Sequence, residues 1–161
     1  MSGVPPDLPR DGELLSAAVK AVRKYRGLTT AEVANAMNMA LRTYERFESG
    51  ATRLNLDHIH RFAAATNSDP YALILAVVVG SPELARRCAD NKMATILTVA
   101  IQRFDRTIQD RLLDLDARTL IAAVTGMFDT LLDGNETSEQ AQTWLQAGAE
   151  ELLATRPKPG R

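Results

Sequence analysis

Hydrophobic residues recur along much of this chain at intervals of three and four, the spacing that places side chains on one face of an α-helix. The longest such stripe lies in the C-terminal half, where six apolar residues follow one another at spacings of 4, 4, 3, 4 and 4: Met93, Leu97, Ile101, Phe104, Ile108 and Leu112. This stripe predicts a long amphipathic helix that opens at Ser81-Pro82 and ends near Arg111. Because only 5% of the residues are aromatic, the core must be mainly aliphatic, and we expect an all-α protein.

The N-terminal half predicts five shorter helices between residues 12 and 80. The first runs from Gly12 to Arg26 and directs five apolar side chains inward: Leu14, Leu15, Ala18, Val19 and Val22. The fourth extends from Leu56 to about Ala65, after Asn55 as a favourable N-cap. The fifth follows Asp69-Pro70 and has the apolar run YALILAVVV, so we expect neighbouring elements to cover it on all sides.

The second and third of these helices occupy the stretch from Thr29 to Gly50 and are joined by a tight turn. Thr29 and Glu32 predict a capping box that starts the second helix. Asn38 stands where this helix must stop, and asparagine tolerates the left-handed conformation that such a stop needs. The third helix is predicted from Leu41 to Ser49, and a glycine just beyond it favours termination there.

The third helix has a thin apolar side and a polar side that contains two arginines. Tyr44 and Phe47, one turn apart, predict the anchored side, with Leu41 next to them. The polar side has the form of a recognition helix for the DNA major groove, where arginine pairs through two hydrogen bonds with guanine O6 and N7. Glu48 is predicted to be structural, packed near basic groups of the same domain. We expect contacts to base edges from four residues: Arg42, Thr43, Glu45 and Arg46.

Several features between Gly27 and Leu73 occur together in one known domain family. They are Leu28-Thr29, Glu32-Val33-Ala34, Met37, Met39, the block Tyr44-Glu45-Arg46-Phe47-Glu48-Ser49-Gly50, and Leu56 with Ile59, Phe62 and Ala63. Together they resemble the lambda-repressor-like (XRE-type) helix-turn-helix domain, aligned by eye without a gap. The chain departs from the frequent family pattern at three positions, where Thr30 replaces a glutamine, Asn38 a turn glycine and Ala40 a capping serine.

The resemblance implies a transcriptional regulator that binds double-stranded DNA as a dimer, on two half-sites about one helical turn apart. It also implies phosphate contacts from the start of the second helix and from the loop after the third helix, and the basic end of the first helix is a further candidate for such contacts. We assign these contacts to Thr30, Thr52, Arg53 and Lys24. For Lys24 and its basic neighbours the alternative is a solvated helix end, since cations suit the last turn of any helix.

Residues 81–155 predict a C-terminal unit of about three helices: the long helix, a second from Ala117 to Leu132, and a third from Thr137 or Ser138. We expect the long stripe to be partly intermolecular, so that the unit makes the protein a homodimer or a heterodimer with a paralogue. Four of its residues are assigned to the dimer interface: Leu97, Ile101, Phe104 and Ile108. The alternative is an internal bundle that only stabilises the monomer.

Composition and charge limit the partners and the compartment. The net charge is −1, so no global positive field attracts nucleic acid, and DNA affinity must come from a few local contacts. The lone Cys88 excludes an intramolecular disulfide and fits a reducing cytosol. The most apolar run, Tyr71 to Val79, is too short to span a bilayer. We expect a soluble cytoplasmic protein, nucleoid-associated on DNA, with residues 1–11 as a disordered arm and residues 156–161 as a loose tail.

Enzyme chemistry finds no support among the motifs of the sequence. There is no glycine-rich phosphate loop, nucleophile elbow or metal-ligand spacing, and His58 and His60 lie too close in sequence to share a helical face. We therefore predict no catalytic residue, no metal and no cofactor. A second hypothesis is a protein-interaction module, such as an antitoxin or a co-regulator. Its C-terminal helices would bind another protein, and its DNA binding would be autoregulatory.

Overall fold

The computed structural model describes residues 8–134 and, beyond them, Thr143, Gln146 and Ala147. These residues form eight α-helices and one 3-10 helix (Gln109–Asp114) and contain no β-strand, which confirms the all-α class. The α-helices are α1 (Leu8–Tyr25), α2 (Thr30–Ala36), α3 (Leu41–Glu48), α4 (Leu56–Thr66), α5 (Pro70–Val79), α6 (Pro82–Arg87), α7 (Met93–Ile108) and α8 (Ala117–Asp133). The predicted tail lies outside the described residues, and so does most of the helix predicted from Thr137.

Backbone contacts divide the chain into two compact units, with the division in sequence between Thr107 and Ile108. We call them the N-terminal unit and the C-terminal unit. The N-terminal unit contains α1 to α6 and all but the last residue of α7. The sequence predicts a boundary between residues 80 and 81, whereas α6, which follows that point, packs against α1 and α5.

The core of the N-terminal unit is built from the apolar faces of α1 to α6. α1, α5 and α6 pack closely on one another, while α2 contacts α3 and α4. The buried side chains are Leu15, Ala18, Val19, Val22, Val33, Ala34, Met37, Tyr44, Phe47, Ile59, Phe62, Leu73, Ala76 and Ala85. The inward face predicted for the first helix is thus confirmed, with Leu14 half-buried at its edge. Each large buried side chain contributes about 1.5–3 kcal/mol through the hydrophobic effect.

Asp69 joins two helices of this unit through its buried carboxylate. Oδ1 accepts hydrogen bonds from the amides of Tyr71 (3.1 Å) and Ala72 (3.3 Å), so Asp69 caps α5 as predicted. The same carboxylate accepts from the Thr95 hydroxyl (2.7 Å) and the Thr95 amide (3.1 Å) in the first turn of α7. Because the three amides would otherwise be orphan donors at a helix start, and the Thr95 hydroxyl adds a fourth bond, Asp69 fixes α5 and α7 together.

The prediction of one long helix from Ser81 to Arg111 is wrong. The chain forms α6, then a turn over residues 88–92, then α7. Lys92 has a φ of 57°, which no α-helix can contain, and the Asn91 side chain accepts from the Met93 amide to start α7. At the C-terminal end of α7, Gln109 has a φ of 49°, which ends the α-helix, and the 3-10 helix begins at this residue.

Two further expectations are corrected near the ends of helices. α1 begins at Leu8, so residues 8–11 of the predicted disordered arm are helical, while residues 1–7 lie outside the description. The apolar helix α5 is not covered on all sides. At its C-terminal end Val78 and Val79 are 73% and 59% exposed, although α1, α4 and α6 cover the rest of the helix.

In the C-terminal unit the structure describes the 3-10 helix and α8. α8 begins after Asp116, whose side chain accepts from the Thr119 amide (2.7 Å), and ends before Gly134 in the left-handed conformation. This helix agrees with the one predicted from Ala117 to Leu132. The described residues of this unit include none that is buried.

Among the described helices of the whole chain, none combines the length and the apolar content that crossing a lipid bilayer requires.

Candidate nucleic-acid interface

The interface predicted from the sequence is built on α2, the turn after it and α3. The capping box at the start of α2 is present, since the Thr29 hydroxyl accepts from the Glu32 amide (3.2 Å) and the Glu32 carboxylate accepts from the Thr29 amide (2.7 Å). The Thr29 amide and hydroxyl, which both donate to the Glu32 carboxylate, lower the pKa of Glu32 below its usual value. α2 ends at Ala36, and Asn38, two residues later, has the predicted left-handed conformation with a φ of 50°.

Arg61 in α4 holds the turn between α2 and α3. Its guanidinium donates to the backbone carbonyls of Met37 and Asn38, which terminate α2. The Met39 amide also turns back to the Ala34 carbonyl at 2.9 Å. Orphan carbonyls at a helix end need such donors. The sequence does not reveal this role of Arg61, because a residue 24 positions from Met37 leaves no local pattern around the turn.

The inner side of α3 is anchored by two rings, as predicted. Tyr44 and Phe47 are buried, and the Phe47 ring lies 6.0 Å from the Phe62 ring of α4. Leu41 does not belong to this anchor, because it is 43% exposed at the start of the helix. Burial raises the pKa of Tyr44, and the Glu48 carboxylate adds to the shift. The Tyr44 hydroxyl is buried without a hydrogen-bond partner among the described residues.

The end of α3 is tied to α1 by an ion pair. Glu48 is only 4% exposed, which confirms its predicted structural role. Nε and Nη2 of Arg23 lie 2.9 Å and 2.8 Å from Glu48 Oε1, and Nη1 donates to the Leu28 carbonyl at 3.0 Å. The hydrogen bonds to Glu48 raise the pKa of Arg23. A guanidinium that bridges a carboxylate and a carbonyl in this way fixes the orientation of α3 against α1.

The outer side of α3 presents the four side chains predicted to contact bases. Arg42, Thr43, Glu45 and Arg46 are all exposed. Their side chains make no hydrogen bond or ion pair with any residue that the structure describes. Arg42 and Arg46 are four residues apart, so they lie one above the other on the helix, opposite the buried Tyr44 and Glu48. Two guanidinium groups are therefore available on one rigid surface.

The loop after α3 contains Thr52, which is half-buried, and Arg53, which is exposed. Gly50 opens this loop with a φ of 73° and packs backbone to backbone on Gly12 of α1. A Cβ on Gly50 would lie 2.1 Å from the Gly12 carbonyl oxygen, so only glycine fits there. The close approach fixes where the loop leaves α3. An apolar groove of about 660 Å³ lies between α1, this loop and α5, with Arg53 in its lining.

The remaining phosphate candidates lie at the start of α2 and the end of α1. Thr30 is half-buried and Lys24 is exposed. The basic end of α1 does not act as one group, because Arg23 is bound to Glu48 and Arg26 is bound elsewhere. Arg26 pairs with Asp90 at 2.8 Å and donates to the Thr66 carbonyl at 2.9 Å.

The described residues contain no group of three or more histidine, cysteine, aspartate or glutamate side chains placed to hold a metal ion. His58 stands edge-on to Phe47, with ring centroids 5.7 Å apart, and His60 stands edge-on to Tyr71 at 5.5 Å. The two histidines of α4 thus contact rings on different helices, His58 on α3 and His60 on α5, and they do not converge on one site. Cys88 is buried as a free thiol, and burial raises its pKa.

Taken together, the site is an exposed arginine pair on a helix that is fixed by a ring anchor, an ion pair and a locked turn. Such a surface can form charge-assisted hydrogen bonds with phosphate or with base edges without rearrangement of the backbone. When the chain was compared with known protein families, curated proteins and solved structures, none of the three comparisons gave a match.

Proposed function

We propose that this protein is a sequence-specific DNA-binding transcriptional regulator whose helices α1 to α5 act as a lambda-repressor-like domain. The observation that carries the proposal is the pair Arg42 and Arg46, which are exposed and unpaired among the described residues. An arginine on a protein surface is ordinary. Two arginines one turn apart, on a short helix whose opposite side is held by buried contacts, form a rigid surface suited to a groove.

In the proposed mechanism α3 enters the major groove. Arg42 and Arg46 each donate two hydrogen bonds to a guanine, one to O6 and one to N7. Glu45 accepts a hydrogen bond from N4 of cytosine. Thr43 can contact either kind of base edge through its hydroxyl. The ion pair of Arg23 with Glu48 holds α3 in a fixed orientation before DNA binds. Binding therefore carries no free-energy cost for ordering this helix.

Phosphate contacts then set the position of α3 in the groove. Arg53 and Thr52 in the loop after α3, Thr30 in the first turn of α2 and Lys24 in α1 supply these contacts. Each phosphate contact releases bound counterions, which gives a slope of about −0.9 in a plot of log affinity against log salt. With a net charge of −1, the protein depends on these few local contacts for its affinity.

The proposed regulator binds as a dimer, through the helices of the C-terminal half. Of the four residues predicted at the interface, Ile101 and Phe104 are 67% and 46% exposed, while Leu97 and Ile108 are half-buried within the chain. A dimer with twofold symmetry reads two half-sites of opposite orientation, with centres about 34–36 Å apart.

The test is a titration of DNA duplexes with the full chain, using a duplex enriched from a randomised pool. Replacing Arg42 and Arg46 together by alanine should weaken binding by about 2–6 kcal/mol, at about 1–3 kcal/mol for each arginine. Arg87→Ala is the matched control, because Arg87 is an exposed arginine on α6, which packs mainly on α1 and α5. Equal affinity of the double variant and the control, or a pool from which nothing is enriched, would reject the proposal.

The second candidate is a protein-interaction module, and the exposed apolar side chains of α8 favour it. Leu132, Ile121 and Leu131 are 82%, 63% and 58% exposed. In that case an unrelated chain covers this helix, and DNA binding only regulates expression of the pair. A complex of fixed stoichiometry with a chain of different sequence, purified in place of a homodimer, distinguishes this candidate from the first.

A further inference from the structure

One side of α8 is an exposed apolar surface. Its large apolar side chains are all between 37% and 82% exposed: Leu120, Ile121, Val124, Met127, Phe128, Leu131 and Leu132. They recur at spacings of three and four from Leu120 to Leu132 within a helix of 17 residues, so they form one continuous stripe about 18 Å long. A stripe of this length on a soluble protein marks an interaction surface.

The charged residues of α8 restrict what can cover the stripe. Arg118 lies near the start of the helix, and Asp129 lies three turns later on nearly the same side, next to the stripe. The other side of the stripe is bordered by Ala123 and Thr130, which have no charge. Neither Arg118 nor Asp129 makes an ion pair with a described residue. Asp133, the last residue of the helix, adds a second carboxylate about 40° from Asp129 around the helix axis. One helix therefore has a cation near one end and carboxylates near the other, along the same border.

This arrangement complements itself when two copies run in opposite directions. In an antiparallel pair the charged border of one helix faces the charged border of the other, and Arg118 of each copy meets Asp129 of its partner. In a parallel pair each charged border faces the uncharged border, so the charges stay unpaired. The midpoint between positions 118 and 129 falls at positions 123 and 124, which places Val124 at the crossing.

We propose that α8 is a self-association surface, which pairs antiparallel with α8 of a second copy about a twofold axis near Val124. The pairing buries the apolar stripe of both copies and forms two equivalent ion pairs. A closed twofold contact limits the assembly to two chains. The proposal deepens the dimeric part of the proposed function, and it is tested without DNA so that each can fail separately.

The first test is the mass of the full chain in solution over a range of concentrations. Wild type should be a dimer, and Val124→Asp should be a monomer with an unchanged helical circular dichroism spectrum. Arg118→Asp or Asp129→Arg alone should weaken dimerisation by about tenfold, because each change removes two ion pairs and opposes like charges. Combining both changes recreates the pairs with reversed polarity and should restore the dimer.

The second test fixes the direction by disulfide cross-linking. In an antiparallel pair, a cysteine at position 124 meets its copy, whereas one at position 118 is about three turns away from its own. Val124→Cys should therefore cross-link under mild oxidation, and Arg118→Cys should not. Wild type is the control, since its Cys88 is buried.

Cross-linking of Arg118→Cys as efficient as that of Val124→Cys would show a parallel pair and overturn the proposal. A wild-type chain that stays monomeric at every concentration would overturn it too, and would mean that residues 135–161 or a different protein cover α8. Neither result bears on DNA binding, which the duplex titration measures independently.

Discussion

Arg23 in α1 and Glu48 at the end of α3 form an ion pair, with Nη2 and Oε1 2.8 Å apart. The side chains of Arg23 and Glu48 are 16% and 5% exposed, so the pair is largely shielded from solvent. It is formed on the opposite side of α3 from Arg42 and Arg46. The cation of α1 therefore orients the helix whose own cations face outward.

Removing the carboxylate of this pair should destabilise the fold. We expect Glu48→Ala to lower the free energy of unfolding by about 3 kcal/mol, because it leaves the Arg23 charge mostly buried and unpaired. Urea denaturation measures the effect. The control is Glu45→Ala on the same helix, where an exposed carboxylate without an ion pair should change stability by less than about 0.5 kcal/mol. Similar small losses in both variants would show that the pair does not fix α3.

Tyr44→Phe should leave the protein as stable as wild type at neutral pH, or more stable by up to about 1 kcal/mol. The reason is that the buried Tyr44 hydroxyl has no hydrogen-bond partner among the described residues, and an unsatisfied buried donor costs free energy. A loss of stability at neutral pH would show that the hydroxyl is bonded.

The same variant should change the stability at alkaline pH. Burial raises the pKa of Tyr44 in the folded protein above its value in the unfolded chain, which lies near 10. The folded state therefore binds the hydroxyl proton of Tyr44 more tightly than the unfolded chain does. The resulting contribution to the free energy of unfolding is complete below about pH 10 and is lost as the pH rises above that value. Urea denaturation from pH 9 to pH 11 should show a smaller loss for Tyr44→Phe than for wild type. Parallel loss in both proteins would contradict the assignment.

Ala40→Ser should stabilise the start of α3. Ala40 occupies the N-cap with an extended backbone, at φ −60° and ψ 139°, and its side chain makes no capping bond. A serine there can accept from an amide in the first turn, which contributes about 1 kcal/mol. Ala36→Ser, at the exposed last position of α2, is the control and should give no gain. If thermal unfolding shows equal effects of both substitutions, the N-cap is not the limiting feature of α3.

The elements that the sequence predicts correctly are those whose signals are local. Thr29 with Glu32, Asn55 and Asp69 lie within three positions of the amides that they cap, so each helix start could be assigned from a few residues. The buried pair Tyr44 and Phe47 was equally accessible, because two rings one turn apart must lie on the same side of a short helix.

The features that the sequence could not give depend on distant residues or on weak local signals. Glu48 is predicted near basic groups, but its partner Arg23 is 25 positions away, and no periodicity selects it among the cations of α1. The sequence does not reveal the break between α6 and α7, because Ser81-Pro82 gives a clear helix start and neither glycine nor proline follows it before Met93. The predicted helix therefore includes Asp90 and Asn91, which lie in the turn between α6 and α7.

Arg53→Ala should weaken DNA binding to all sequences alike, because we place Arg53 on a phosphate. The slope of log affinity against log salt should become shallower by about 0.9. Titrations of the enriched duplex and of a scrambled duplex at several salt concentrations measure both effects. If Arg53→Ala changed the preference between the two duplexes, Arg53 would contact a base and not the backbone.

The measurement that tests the central claim most directly is a selection of duplexes from a randomised pool, performed in parallel with wild type and with Arg42→Ala. The wild type should enrich one motif with a guanine at the position that Arg42 contacts. The variant should enrich the same motif with no preference at that base pair and with the other positions unchanged. Identical motifs from both proteins would show that Arg42 does not contact a base, and would contradict the assignment of α3 to the major groove.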